Sequence, residues 1–202
     1  MELVLASRNK KKIAELQAML SEIGSLDIKI LSLDDIGVFE DIEENGETFE
    51  ENARIKAMAG ASRGYITIAD DSGLCVDALN GAPGVHSARF SGLGDDGNNK
   101  LLVEKLKGLP KEKRTARFMT NVVCIFPDQN DEIVTKGEVV GYITEEAQGT
   151  NGFGYDPYFF YSPYNKTFAQ LSPEEKNAIS HRGKAMRAFA EELVKKVKQY
   201  NL

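Results

Sequence analysis

A chain of 202 residues, 42 % apolar and 28 % charged, is long enough for one packed domain, or for one domain with a second small lobe, and has ordinary globular composition. Its formal charge of −6 argues against a duplex nucleic-acid binder, which needs clustered positive charge, but leaves room for a small anionic ligand held in one local basic pocket. No run approaches membrane-spanning length and the start, MELVLASRNK, lacks the apolar core of a signal peptide, so a cytoplasmic protein with no membrane partner is expected. Cys75 and Cys124 each sit in an apolar run with no CxxC pair, and the only histidines are His86 and His181. That argues against a zinc site and for two small, buried core thiols.

Glu2–Ala6 reads as a short strand, followed by Ser7-Arg8-Asn9-Lys10-Lys11-Lys12 and a helix whose Ile13, Leu16, Leu20 and Ile23 share one face until Gly24. Four of the five residues from Arg8 to Lys12 are cationic. Cations are misplaced at a helix N-terminus, where the macrodipole is already positive, unless an anion such as phosphate binds among them; a solvated basic patch is the plainer alternative. Asp27–Leu33 reads as a second strand. The acidic stretch from Glu40 to Glu47 then leads into a Thr48-x-x-Glu51 capping box, and the helix it starts carries Phe49, Ala53, Ala57 and Ala61 on its buried stripe before Gly64 stops it. On local grounds Glu43 and Glu44 are only loop carboxylates that suit a helix N-terminus.

The apolar run Tyr65–Ala69 is expected to stop at Asp70 and Asp71 and to bend at Ser72-Gly73 before a second run, Leu74-Cys75-Val76. Strands that end in carboxylates present acids at the carboxyl edge of α/β sheets, although Asp, Ser and Gly are also ordinary turn formers. Asp95 and Asp96 offer N-caps for a helix bearing Leu101, Leu102 and Leu106, ended by Gly108 and Pro110. Thr115–Phe126 alternates Ala116, Phe118, Thr120, Val122, Cys124 and Phe126 along one face, and a turn over 127–131 joins it to Glu132–Thr144 as a hairpin. Early strand–helix alternation followed by a hairpin predicts an α/β fold with a mixed sheet.

The glycine-rich run from Gly149 to Pro157 precedes a strand over Tyr158–Tyr161 and matches neither a Walker loop nor a dinucleotide fingerprint. Aromatics beside glycines can hold a flat ring against closely approaching backbone; they can equally anchor a tight surface loop. Ser172-Pro173-Glu174-Glu175 is a capping box with proline at the first helical position, and Lys176, His181, Arg182 and Lys184 follow within about two turns. That helix, or a second one restarting at Ser180, turns Met186, Phe189, Ala190, Leu193 and Val197 to the core.

Five segments in this order, SRNKKK, ETFEENARIKA, ADDSGLCVDALNGAPGVHSARFSG, GFGYDP and LSPEEKNAISHRGKA, resemble the HAM1/inosine-triphosphate pyrophosphatase family over essentially the whole chain. The resemblance implies one nucleoside-triphosphate pyrophosphatase domain over 1–202: an elongated, two-lobed α/β domain whose mixed, strongly twisted sheet is flanked by helices, assembled as a homodimer. It implies hydrolysis of ITP, dITP and XTP. Ser7, Asn9 and Lys12 fall on triphosphate-binding positions, with Arg8, Lys10 and Lys11 adding positive charge around them. Glu44 falls on the metal-associated acid, Glu43 being its immediate alternative. Asp71 falls on the acid at the reaction centre, with Asp70 beside it, and Ser72 contacts substrate. Phe153, Gly154, Tyr155 and Asp156 resemble the base and sugar pocket, and Lys176, His181 and Arg182 fall on nucleotide-recognition positions.

The chemistry is consistent with this. A triphosphate needs cations on its oxygens, which Lys12, its neighbours and Mg²⁺ would supply, and Mg²⁺ prefers carboxylates such as Glu44 and Asp71 with retained waters. Two other readings stay open: a Maf-like pyrophosphatase acting on pyrimidine or modified nucleotides, and a nucleotide-binding module without catalysis. Paired acids favour an enzyme, since a plain polyanion binder has no use for more negative charge.

Overall fold

The structure, a computed structural model, describes residues 1–8, 13, 16, 17, 20, 21 and 28–202. Its strands are β1 (Glu2–Leu5), β2 (Lys29–Leu31), β3 (Thr67–Val76), β4 (Thr115–Phe126), β5 (Asp131–Ile143), β6 (Phe159–Tyr161) and β7 (Lys166–Thr167). They form a mixed sheet of order β2-β1-β3-β4-β5-β6-β7. β1 is parallel to both β2 and β3, whereas β6 is antiparallel to β5 and β7. The helices are α1 (Phe49–Ala61), α2 (Gly94–Leu106), α3 (Pro173–Ile179) and α4 (His181–Tyr200), and Ile13, Leu16, Gln17, Leu20 and Ser21 are also helical. The chain packs as two compact units, one of residues 1–71, 121–136 and 185–202, the other of 72–120 and 137–184.

In the first unit, α4 lays Met186, Phe189, Ala190, Leu193 and Val197 against Leu3, Leu5, Ile68, Val122, Cys124 and Phe126. The predicted helical stripe is this buried face. Lys196 and Tyr200, near the end of α4, both bond the Asp131 carboxylate at the start of β5. A second cluster joins Val4, Leu33, Val38 and Val123 to Ala53, Ala57 and Ala69. α1 starts at the Thr48/Glu51 capping box, as its sequence requires. Small residues let it approach β3 closely: a Cβ on Gly60 would lie 2.4 Å from the Thr67 hydroxyl oxygen.

In the second unit, Leu74, Val76, Leu102, Leu106, Ala116, Phe118, Ile143, Tyr155, Phe159 and Phe168 form the core. All six residues predicted on one face of β4 are buried. α3 begins at the Ser172/Glu175 capping box, and its C-cap Ser180 separates it from α4, so the helix does restart there.

Four expectations change. Asp70-Asp71-Ser72-Gly73 is no turn: β3 runs through it without a break. β1 ends at Leu5, but β4 remains as a neighbour, and that pairing overrides the turn preference of the four residues. Asp95 and Asp96 lie inside α2 instead of capping it; Leu93 occupies the N-cap without a side-chain bond. Cys75 is only half-buried, unlike Cys124. The second strand shrinks to Lys29–Leu31. The predicted helix start at Asn9–Lys12 and its Gly24 stop lie outside the described residues.

Gly60→Val should destabilise the protein by about 1–3 kcal/mol, because the buried Thr67 leaves the added methyls no room. Urea unfolding measures this, and an unchanged midpoint would show that the α1–β3 approach tolerates bulk.

Candidate active site

Parallel pairing fixes where the acids lie. Leu5 stands beside Ile68 in the β1–β3 register, and the last rung runs from the Ala6 N–H to the Ile68 carbonyl at 2.8 Å. Beyond it come Ser7 on one chain and Asp70 and Asp71 on the other. The acids therefore sit at the carboxyl end of the parallel ladder although β3 itself continues. This is the edge at which open α/β sheets bind ligands.

Here the first unit assembles a charged array. The Lys56 ammonium, on α1, donates to Glu44 Oε2 at 2.8 Å and to Asp71 Oδ1 at 3.2 Å. Glu43 is exposed, whereas Glu44 turns inward to this lysine, so the structure brings Glu44 and Asp71 together. Burial pushes the Asp71 carboxyl upward, against the pull of Lys56. Burial also works against the charge on Lys56, but Asp71 and then Glu44 outweigh it, and its net shift is upward. Asp71 Oδ2 is buried with no hydrogen-bond partner among the described residues. The Asn52 amide is near enough to temper the rise without bonding that oxygen in good geometry.

Two carboxylates on one lysine, with one buried acceptor oxygen unfilled, fit a hard divalent cation that keeps several waters. No group of three histidine, cysteine or acidic side chains among the described residues forms a complete protein cage.

Asn52 and Lys56 were missed in the sequence. The available signal was two polar residues one helical turn apart beside the Ala53/Ala57 stripe, at the edge of a buried face. Asn52, 1 % exposed, accepts from the Gly46 N–H at 2.8 Å and so fixes the end of the loop that carries Glu44.

Of the cationic segment, Ser7 is half-buried and Arg8 is described, while Asn9, Lys10, Lys11 and Lys12 lie outside the described residues. Arg8 is itself ion-paired. Its guanidinium bonds Asp34 at 2.9 Å and the carbonyls of Val38 and Glu40 at 3.2 and 2.9 Å, with Asp41 at 3.4 Å.

The second unit presents an aromatic platform. Phe153 is 79 % exposed, and the Lys176 ammonium lies 4.6 Å from its ring centroid. Asp156, 2 % exposed, holds that ammonium at 2.5 Å and accepts from the Phe153 N–H at 2.9 Å. A Cβ on Gly152 would collide with this carboxylate, so only glycine fits. Burial raises the Asp156 carboxyl, while Lys176 and the Phe153 N–H hold it back.

Asp95, expected only as a helix cap, and Asn99, which has no place in the sequence reading, clamp Gly154. Asp95 accepts from the Gly154 N–H at 2.9 Å, and Asn99 donates to its carbonyl at 2.8 Å. The Tyr155 ring belongs to the core and its hydroxyl donates to the Ser87 carbonyl at 2.7 Å, which makes it an anchor of the loop. The His181 ring stacks on Phe118 with centroids 4.9 Å apart and planes at 12°, and Arg182 follows half-buried. The Ser72 hydroxyl shares a 2.7 Å hydrogen bond with the Thr120 hydroxyl.

The sequence matches the model of the Ham1 family over residues 3–192. It is 50 % identical over 192 residues to a dITP/XTP pyrophosphatase of Bacillus licheniformis, covering 94 % of this chain and 96 % of that one. It is 45 % identical over 196 residues to a dITP/XTP pyrophosphatase of Leuconostoc mesenteroides, covering 96 % of each. Among solved structures, the Staphylococcus aureus Ham1 protein superposes with a TM-score of 0.90 at 39 % identity, covering 97 % of this chain and all of that one. A Mycobacterium abscessus structure described as a nucleoside-triphosphatase and dITP/XTP pyrophosphatase gives 0.81 at 44 %, covering 94 and 97 %.

Lys176→Met should leave Asp156 buried without its cation, at a cost of about 3–5 kcal/mol near neutral pH. Without the ammonium, burial raises the folded-state pKa further above the unfolded value. Stability is then greatest below the unfolded pKa and is lost as pH rises through the folded one. The penalty should therefore be smaller at about pH 5 than at about pH 8 in urea unfolding. A pH-independent penalty would mean that Asp156 is not the group left uncompensated.

Proposed function

The chain belongs to the Ham1 family, and from that premise we propose that it hydrolyses non-standard purine nucleoside triphosphates, ITP, dITP and XTP, to the monophosphate and pyrophosphate. The single observation that carries this reading to particular atoms is the Glu44–Lys56–Asp71 array at the carboxyl end of the β1–β3 ladder. Cleaning damaged purines from the nucleotide pool is the role this activity serves.

Asp71 Oδ2 accepts a proton from the water that attacks the α-phosphorus in line. As the new P–O bond forms, the bond from the α-phosphorus to the bridging oxygen breaks and pyrophosphate leaves with the electron pair. Lys56 holds Oδ1, so that the carboxylate keeps one orientation while Oδ2 works. A divalent cation, which we take to be Mg²⁺, would be held by Glu44 directly and by Asp71 through its retained waters, and would neutralise phosphate charge when bound. Ser7, Asn9 and Lys12 bind the triphosphate oxygens, Lys10 and Lys11 add to the local positive field, and Ser72 touches the substrate.

In the second unit, Phe153 supplies a stacking face for the base, and Lys176, His181 and Arg182 read its edge. A donor such as Arg182 or Lys176 is satisfied by the 6-oxo group of hypoxanthine or xanthine. Opposite the 6-amino group of adenine it meets another donor, a mismatch that rejects ATP.

All 202 residues serve as one catalytic domain. The two thiols form no disulfide and suit a reducing cytoplasm; the homodimer rests on the family resemblance.

Incubation with ITP, dITP, XTP, GTP and ATP plus Mg²⁺ should yield pyrophosphate and monophosphate from the first three. Diphosphate plus phosphate would refute the bond assignment, and preference for pyrimidine nucleotides would point to a Maf-like enzyme. Asp71→Asn should lower kcat by about 10²–10⁴-fold with KM largely kept. Turnover near the parent rate would remove Asp71 from the chemistry. Arg182→Ala should lose ITP activity more than ATP activity, and an equal proportional loss would sink its recognition role.

A further inference from the structure

The loop from Ser32 to Glu47 brings Glu44 to Lys56 with almost no regular structure of its own, apart from a single 3₁₀ turn at Asp34–Ile36. Its apolar anchors are Leu33 and Val38, both buried, with Ile36 and Ile42 packed alongside. Carbonyls along such a segment have no ladder or helix to satisfy them, so each must find another donor. Two arginines supply the donors. Arg63, just beyond α1, donates to the carbonyls of Ile36 and Gly37 at 3.3 and 2.8 Å. Arg8, just beyond β1, spans the carbonyls of Val38 and Glu40 and at the same time bonds the Asp34 carboxylate.

The segment is also crowded with charge: Asp34, Asp35, Glu40, Asp41, Glu43, Glu44 and Glu47 are seven carboxylates in fourteen residues. Left alone they repel, and the loop spreads. Further along, the Asn52 side chain accepts from the Gly46 N–H, and the Glu51 carboxylate accepts from those of Glu47 and Thr48. Glu44 thus hangs between two fixed stretches, 36–41 under the arginines and 46–48 on α1, with Lys56 as its own partner.

We propose that Arg8 is a positioning residue for Glu44: instead of binding phosphate, its guanidinium ties the acidic loop to the end of β1 and so sets where the Glu44 carboxylate stands. The planar fork of arginine is what the task requires. It reaches two carboxylates and two carbonyls at once, four acceptors that the three N–H bonds of a lysine ammonium cannot all serve. Arg8 also follows Ser7 directly, so the residues that meet the triphosphate and the loop that carries Glu44 hang from the same strand end. The inference rests on the assignment of Glu44 to the metal, but the clamp itself can be measured without substrate or metal.

The test compares the parent protein with Arg8→Ala and Arg8→Lys. Hydrogen exchange on the protein without metal or nucleotide should show faster exchange over residues 33–45 in Arg8→Ala, with α4 and β4 unchanged. In turnover of ITP, the Mg²⁺ concentration for half-maximal rate should rise about tenfold, the scale seen when a residue that orients a metal ligand is lost. KM for ITP at saturating Mg²⁺ should stay within about twofold, and Arg8→Lys should restore little of the Mg²⁺ response. Unchanged exchange would overturn the clamp. Faster exchange with an unaltered Mg²⁺ requirement would overturn its link to Glu44. A raised KM with the Mg²⁺ requirement kept would return Arg8 to the phosphate ligands. An absence of pyrophosphatase activity in the parent would refute the proposed function, while exchange still decides the clamp.

Discussion

Negative charge has to be held close together and partly out of water at the end of the β1–β3 ladder, and the Lys56 ammonium makes that tolerable. Asp71 is driven upward by burial, and Glu44 adds a like charge beside it. One cation shared by both carboxylates, itself deeply set on α1, keeps the array together. The surrounding fold can be read as the means of delivering three side chains to one point. β3 brings Asp71, α1 brings Lys56, and an irregular loop brings Glu44. Each route has its own fastening: a parallel ladder, a capping box with a close helix–strand contact, and donors aimed at loop carbonyls and N–H groups.

Most of the scaffold was legible because local and global preferences agree. The Thr48/Glu51 and Ser172/Glu175 boxes mark helix starts that the structure keeps. The alternation over Thr115–Phe126 and the stripe from Met186 to Val197 each face a core. In these elements the pattern that forms the secondary structure is the same pattern that packs it, so reading one reads the other.

The misreadings occur where a neighbour outweighs the local preference. Asp-Asp-Ser-Gly has the composition of a turn, but pairing to β4 carries the strand through it. Asp95 has the residue type of a cap, but its carboxylate is taken by the Gly154 N–H, far away in sequence. Arg8 looked like one more cation in a basic run, since nothing in residues 7–12 announces four acceptors near Asp34, Val38, Glu40 and Asp41. Asn52 and Lys56 were hidden for the opposite reason: polar residues on an amphipathic helix are expected, and only burial distinguishes these two from solvent-facing ones. Long-range polar partners are the part of this protein that one sequence does not show.

The two units use the same lysine–carboxylate pairing with the roles exchanged. At Lys56 the cation is the support, and it leaves one Asp71 oxygen without a partner, ready for chemistry. At Lys176 the carboxylate is the support: Asp156 is nearly inaccessible, and what it displays is the ammonium and the Phe153 ring it steadies. At the Lys176 pair burial decides which member is the tool, because Asp156 is the deeper of the two and cannot reach a ligand. Lys56 and Asp71 are equally deep, and there the sharing of Lys56 with Glu44 leaves one Asp71 oxygen over. A phosphoanhydride needs an acceptor for a proton, and a purine needs a flat face with a donor beside it. One pairing supplies both, and what else holds each member, Glu44 on Lys56 or the Phe153 N–H on Asp156, sets which of the two it offers.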